Sequence, residues 1–373
     1  MALLLLVFFI IDLVSIAYPV IAYYLWREWD TYKGTSSDDY ADRCLYGAIA
    51  LMLFILLGRL LIKALLSKRR KGEDEPHMFK AAKSDTLNRP DGTRINIEYY
   101  GKENGQPILF IHGLNANIKN WYYQRKHFEK EYRLIMMDLP GLGKSTRPAN
   151  NDFSLSKIAK DLQAVIEHTG AKNPVLWGHS MGGMTILTLL AKHQDPNRER
   201  IKGVILEHTT YTNPVHTMIF NKLISAIQKP VLVPLCYLLI GLSPVIWIFR
   251  WMSYLNGGSH IMTRLLTFAG TQTPKQLDFT TLLSTLAPPA VTARSVLAMF
   301  KYDVARELPS IQVPTLLLAA DRDRLTKPVA SQFIKELMPH AELVTIALAN
   351  HQGLIERHQE VNESAERFIK SLG

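Results

Sequence analysis

The chain has 373 residues, 47% of them hydrophobic, and a formal net charge of +10. That length allows one large domain or two ordinary ones. Its two cysteines, Cys44 and Cys236, give neither a disulfide framework nor a metal-ligand spacing, so no metal site is expected. Residues 1–76 hold nine Lys or Arg and nine Asp or Glu, so the excess charge lies wholly beyond them. A basic globular part suits an anionic membrane surface or anionic ligands. No basic run is interleaved with aromatics, so nucleic acid is not an expected partner.

Residues 2–26 carry a single charge, Asp12, and are long enough to cross a bilayer core. They do not read as a cleaved signal: a basic leading segment is missing, and Tyr23-Tyr24-Leu25-Trp26 is no small-residue cleavage site. Residues 44–66 form a second apolar stretch, with Arg59 and Lys63 near its end where long cationic side chains reach the headgroups. Tyr18, Tyr23, Tyr24, Trp26 and Trp29 gather at one end of the first span like an interfacial belt. Three basic residues lie in the connecting loop 27–43, against seven in 63–83, including Lys68-Arg69-Arg70-Lys71. The positive-inside rule then predicts a two-span membrane protein with everything after the hairpin on the cytoplasmic side. Asp12, deep in its span, has two readings: a pair with Arg59 on the neighbouring helix, or a protonated or locally wetted acid.

Beyond a polar linker with a candidate first edge strand in 72–88, Pro90-Asp91-Gly92 marks a turn and 93–100 alternates as a strand. Apolar strands are then predicted at 108–111, 134–137, 175–177, 204–206, 315–319 and 343–346. Helical stretches lie between them, such as 154–169 with Ser154 as N-cap. Continuous apolar strands alternating with helices argue for a mostly parallel sheet covered on both faces.

The chemistry centres on Gly178-His179-Ser180-Met181-Gly182-Gly183, a strand end followed by an apolar helix from Met181 to about His193. A serine on a sharp strand-to-helix turn needs glycine two positions before and after it, where side chains would clash. The turn lifts the hydroxyl out of the sheet, and the helix start aims N–H groups at the same point. His112-Gly113-Leu114 ends an earlier strand, and residues 138–145 form a tight loop with two glycines. Asp321 and Asp323 follow the 315–319 strand in a loop closed by Pro328, and His351 follows the last strand. Serine, aspartate and histidine thus occur in that order, each at a strand's C-terminal end.

From about Met78 to Leu372 these five motifs resemble the α/β-hydrolase superfamily. The resemblance implies a mostly parallel eight-stranded sheet with helices on both faces and an inserted helical lid, here behind an N-terminal membrane hairpin. It implies Ser180 as nucleophile, Asp323 as acid and His351 as general base, with the Leu114 and Met181 N–H groups as oxyanion donors. His112 and Gly113 are expected at the substrate, and no cofactor. Asp321 and Glu207 are competing acids; His340 and His358 compete with His351. The motif around Ser180 is most similar to monoacylglycerol lipases and related carboxylesterases, including membrane-anchored ones, which usually have one span.

The predicted organisation is a hairpin and basic flank at 1–71, core at 72–208, lid at 209–300 and core again at 301–373. Residues 231–249 hold no charge, with Pro234, Gly241 and Pro244 as breakers. They read as a pocket wall or a bilayer-dipping lid, or alternatively a third span, which would part Ser180 from Asp323 and His351. Lys222, Lys229, Arg250, Arg264, Lys275 and Arg294 face only Asp278, so a basic rim is expected. The expected activity is hydrolysis of a lipophilic carboxylic ester, monoacylglycerol or similar, by a membrane-tethered serine hydrolase. Thioester or C–C hydrolysis and acyl transfer would use the same triad. A non-catalytic membrane scaffold is the reading from another class, and Ser180 argues against the epoxide hydrolases of this fold, which use aspartate.

Overall fold

The computed structural model describes residues 2–68, 74–81, 83–192 and 201–373. Two long helices lead, α1 (Ala2–Tyr32) and α2 (Asp38–Leu65), packed together as a hairpin. Both outrun the predicted spans, because backbone hydrogen bonding continues where the apolar pattern stops. Asp38 and Asp39 sit in the first turn of α2, where the helix dipole favours them. Of the basic cluster, Arg69, Arg70 and Lys71 lie outside the described residues.

The sheet runs β1 (Lys83–Asn88), β2 (Arg94–Gly101), β4 (Arg133–Met137), β3 (Pro107–Ile111), β5 (Val175–His179), β6 (Gly203–Glu207), β7 (Thr315–Ala320), β8 (Glu342–Ile346) in spatial order. From β4 through β8 every pairing is parallel, and β1 and β2 are antiparallel at one edge. Alternate side chains of each strand enter opposite cores: Leu109 and Ile111 face one, Ile108 and Phe110 the other. The core helices are α3 (Tyr122–Phe128), α4 (Leu155–His168) and α5 (Met181–Lys192), His193 lying outside the described residues. Ser154 caps α4, its hydroxyl accepting from the Lys157 N–H at 3.2 Å.

Between β6 and β7 stand the lid helices α6 (Pro214–Thr217), α7 (Asn221–Ile227), α8 (Val233–Gly241), α9 (Ser243–Asn256), α10 (Gly258–Thr267), α11 (Pro274–Leu286) and α12 (Pro289–Met299). A bridge between Thr212 and Asp303 closes its base. The last helices are α13 (Pro328–Leu337), α14 (Gly353–Glu356) and α15 (His358–Ser371). The described residues include three helices long and apolar enough to cross a membrane: α1 from Leu6, α2, and Asn221–Gly241. In the third, Ile224, Leu232, Leu235, Cys236 and Leu239 are buried in the hydrolase core, so its inner face is already taken.

The foot of the hairpin is locked into the lid. α1 packs on α9 and α10, and α2 on α9, α10 and α11. The Asn256 amide donates to Ser15 Oγ at 2.9 Å, and Lys63 pairs with Asp278 at 3.0 Å. Of the two readings of Asp12 only the pair with Arg59 is excluded, and Arg250 leaves the expected basic rim. Arg59 donates to the Tyr254 hydroxyl at 2.6 Å instead of meeting Asp12, which is buried against α9 in the field of Arg250. Arg250 in turn is buried and donates to the Ala287 carbonyl, so it is no part of an outer basic rim.

Candidate active site

Ser180 follows β5 with a left-handed φ of 53°, the strain of a sharp turn held by its surroundings. A Cβ at Gly178 would lie 2.6 Å from the Gly182 carbonyl carbon and the Gly183 nitrogen, and one at Gly182 would run into the Ile111 carbonyl. The two glycines therefore let the turn close between β3 and α5. The Ser180 N–H donates to the Glu207 carbonyl at 2.9 Å, and Thr209 Oγ donates to the Ser180 carbonyl at 2.7 Å.

The Ser180 hydroxyl lies 2.9 Å from His351 Nε2, and His351 Nδ1 lies 2.9 Å from Asp323 Oδ2. All three residues are buried. The other Asp323 oxygen accepts the Leu325 and Thr326 N–H groups at 2.8 and 2.9 Å, and Thr326 Oγ sits 2.8 Å from Oδ2. Burial pushes the Asp323 carboxyl up, but His351 and these donors outweigh it and hold the acid down at about 2. The competing acids stand elsewhere. Asp321 is exposed and accepts the Ala349 N–H at 3.1 Å, and Glu207 accepts the Trp177 indole N–H at 2.8 Å. His340 is exposed, and His358 stacks on Tyr123 at 3.7 Å.

Two further histidines support the centre, and no motif or spacing singled out His208. His179 Nε2 and His208 Nδ1 both donate to the His351 carbonyl, at 2.9 and 3.2 Å. Burial pushes the His208 imidazole down to about 4 and that of His179 well below its ordinary range. Both are thus neutral donors, and no second cation opposes a proton on His351. Thr326, three residues after Asp323, was readable as part of its loop but not as a ligand of the carboxylate.

The pocket over Ser180 is lined by His351, Gln352, Leu114, lid residues of α10 and α11, and Phe8 of α1. His112 and Gly113 do not line it. His112 is wholly buried: Nδ1 donates to the Gly113 carbonyl at 2.7 Å and Nε2 accepts the Leu139 N–H at 3.0 Å. That ring ties the loop carrying Leu114 to the 138–145 loop. Gly113 lets the same loop approach, since a Cβ there would stand 3.0 Å from Ser180 Cβ. No cluster of metal-ligating side chains occurs among the described residues.

Comparison with known proteins agrees with this architecture. Residues 106–231 match the alpha/beta hydrolase fold family model. The chain has the α/β-hydrolase fold. Over 271 residues it is 25% identical to the AB hydrolase superfamily protein YisY of Bacillus subtilis, covering 72% of this chain and 92% of that one. A structure described as an aryl esterase from Burkholderia cenocepacia superposes with TM-score 0.61 at 26% identity, over 78% of this chain and 99% of that one. A membrane phospholipase A, a bacterial virulence factor, shares the fold with TM-score 0.60 at 20% identity, over 90% and 95%. Esterases and lipases stand among its relatives and neighbours, Lipase 1 of Psychrobacter immobilis among them at 21% identity over 77% of this chain and 84% of that one.

Proposed function

We propose that this hydrolase is tethered in a membrane by α1 and α2, with its catalytic part on the cytoplasmic side. It cleaves lipophilic esters, monoacylglycerol or a similar lipid, with Ser180, His351 and Asp323 as its triad. The observation that carries the reading is the unbroken relay of 2.9 Å from Ser180 Oγ to His351 Nε2 and 2.9 Å from Nδ1 to Asp323. Ser180 Oγ attacks the acyl carbonyl while His351 takes its proton, and the Leu114 and Met181 N–H groups receive the oxyanion. The proton passes to the leaving alcohol, and water repeats the sequence on the acyl-enzyme with His351 again as base.

The pocket lining supports a small hydroxylated head group. Thr263 Oγ, Thr280 Oγ, Gln352 Oε1 and both amide atoms of Asn120 are buried beside Ser180 without a hydrogen-bond partner among the described residues. Buried donors and acceptors left open in this way suit a ligand carrying hydroxyls. Leu114, Leu283 and Leu325 line the same pocket and offer apolar surface to an acyl chain.

A fluorophosphonate probe applied to the full chain in detergent tests the reading. Labelling is expected on Ser180 and is lost, with monoacylglycerol hydrolysis, in Ser180→Ala. Undiminished hydrolysis by that variant would refute the assignment. For sidedness, a C-terminal reporter active only outside the cytoplasm is expected to stay silent, and a signal from it would reverse the orientation.

A further inference from the structure

The membrane hairpin does more than hold the enzyme at a surface. Phe8, in the second turn of α1, lines the Ser180 pocket and is 8% exposed, although it lies 172 residues before the nucleophile. It sits in the same apolar cluster as Leu114 and Ile111 of the hydrolase core. Phe8, Asp12 and Ser15 are buried on one side of α1, while Ile10, Leu13 and Val14 are exposed on the other. That is the face spacing of a helix lying between a protein and lipid.

The two polar residues below Phe8 fix its position along the helix axis. Ser15 is held by the Asn256 amide, and Asp12 lies in the field of Arg250. A Cβ at Gly258 would come 2.8 Å from the Ile11 methyl, so the α1 backbone is seated closely on the start of α10. α10 and α11 supply the other side of the pocket through Thr263, Thr280 and Leu283. The space over Ser180 measures about 50 Å³, well short of the several hundred Å³ typical of a site for a larger ligand. An acyl chain longer than that space must displace part of its lining or pass along it through the mouth, and Phe8 is the lining's contribution from the membrane helix.

We propose that Phe8 contacts the acyl chain of the substrate, and that the side chain at this position sets the chain length accepted. The chain then lies along the first membrane helix, continuous with the bilayer from which it came. This rests on Ser180 as the nucleophile, because the pocket is defined around it.

The test uses the full chain in nanodiscs, with p-nitrophenyl esters from acetate to palmitate and kcat and KM measured separately. Phe8→Ala is expected to raise the ratio of long-chain to acetate kcat/KM by about tenfold, and Phe8→Trp to lower it, since pocket shape discriminates one or two methylenes at that level. Val14→Ala, on the lipid side, leaves the ratio unchanged. A merely structural role would move all esters together, and equal changes across the series in both Phe8 variants overturn the proposal. Should one variant fail to fold, a fluorophosphonate bearing a photoreactive group in its alkyl chain decides the matter on the wild-type chain. Cross-links from labelled Ser180 to the peptide containing Phe8 are expected; cross-links confined to α10 and α11 overturn it. Absence of Ser180 labelling altogether would instead remove the triad reading beneath it.

Discussion

Glu207 offers a sharp test of the structure, because its carboxyl is wholly buried at the end of β6 and accepts one hydrogen bond. The Trp177 indole donates to Oε2 at 2.8 Å, and Oε1 has no hydrogen-bond partner among the described residues, His208 Nδ1 standing 3.8 Å away. Burial pushes this acid from its ordinary 4.5 up to about 8, the indole hydrogen bond only partly opposing it. The folded value lies above the unfolded one, so the group's contribution is fully present below about pH 4.5 and lost as pH rises through 8. The rise from 4.5 to about 8 sets the total loss at no more than about 5 kcal/mol. Glu207→Gln keeps the shape and an acceptor for Trp177 but cannot ionise. Thermal unfolding of both proteins in the same detergent, followed by intrinsic fluorescence from pH 5 to 9, is the assay. The wild type should lose stability across that range relative to the variant, with the gap widest at pH 9. The variant should keep its ester hydrolysis, since His351 pairs with Asp323. Parallel melting curves, or a variant less stable at pH 9, would refute the reasoning.

Two other outcomes follow from the geometry. Asp323→Asn is expected to fold and to lose about 10⁴-fold in kcat, whereas Asp321→Asn, at an exposed turn, stays near wild type; the reverse order would move the acid. Gly58 of α2 meets the lid so closely that a Cβ would lie 2.6 Å from the Asn256 carbonyl oxygen, while Gly241 has nothing within 4 Å. Gly58→Leu should cost about 1–3 kcal/mol and depress ester hydrolysis by prying the hairpin from the lid, and Gly241→Ala should do neither. Equal melting temperatures for the two variants would disprove that contact.

What was legible in the sequence was local. Each central strand is a short apolar run, and Gly178 and Gly182 announce the turn that Ser180 occupies, so the sheet and the order of Ser180, Asp323 and His351 could be read directly. The partners of Asp12 and Arg59 could not, because Arg250 and Tyr254 belong to α9, and nothing local reveals which helices a lid brings together. The same holds for Phe8: no spacing rule connects a residue in α1 to a pocket built from α10 and α11. His112 shows a subtler gap. Its place beside Leu114 was readable, but whether the ring faces substrate or backbone depends on the 138–145 loop folding against it.

The apolar lid face gains its meaning from the length of the hairpin. Below Ser15 and beyond Ile55 the two helices are engaged by the lid, so the freely projecting apolar part of α1 is only residues 16–26. That length is roughly 16 Å, against a hydrocarbon core of about 30 Å. Yet exposed apolar side chains continue down the outer side of the foot, through Ile10 and Leu13 on α1 and Leu57, Leu61 and Leu65 on α2. A bilayer that covers them reaches the depth of α8 and α9. There the exposed residues are Tyr237, Leu238, Leu242, Val245 and Ile248, whereas Trp247 donates to the Thr285 carbonyl and Phe249 packs inward. The lid's outer face should therefore be immersed together with the hairpin. A nitroxide on Ile248→Cys is a clean probe because Cys44 and Cys236 are both buried. In nanodiscs it should be relaxed by oxygen and shielded from a water-soluble nickel chelate. Ready access of the chelate would mean that the bilayer thins around a short hairpin and the lid stays dry of lipid.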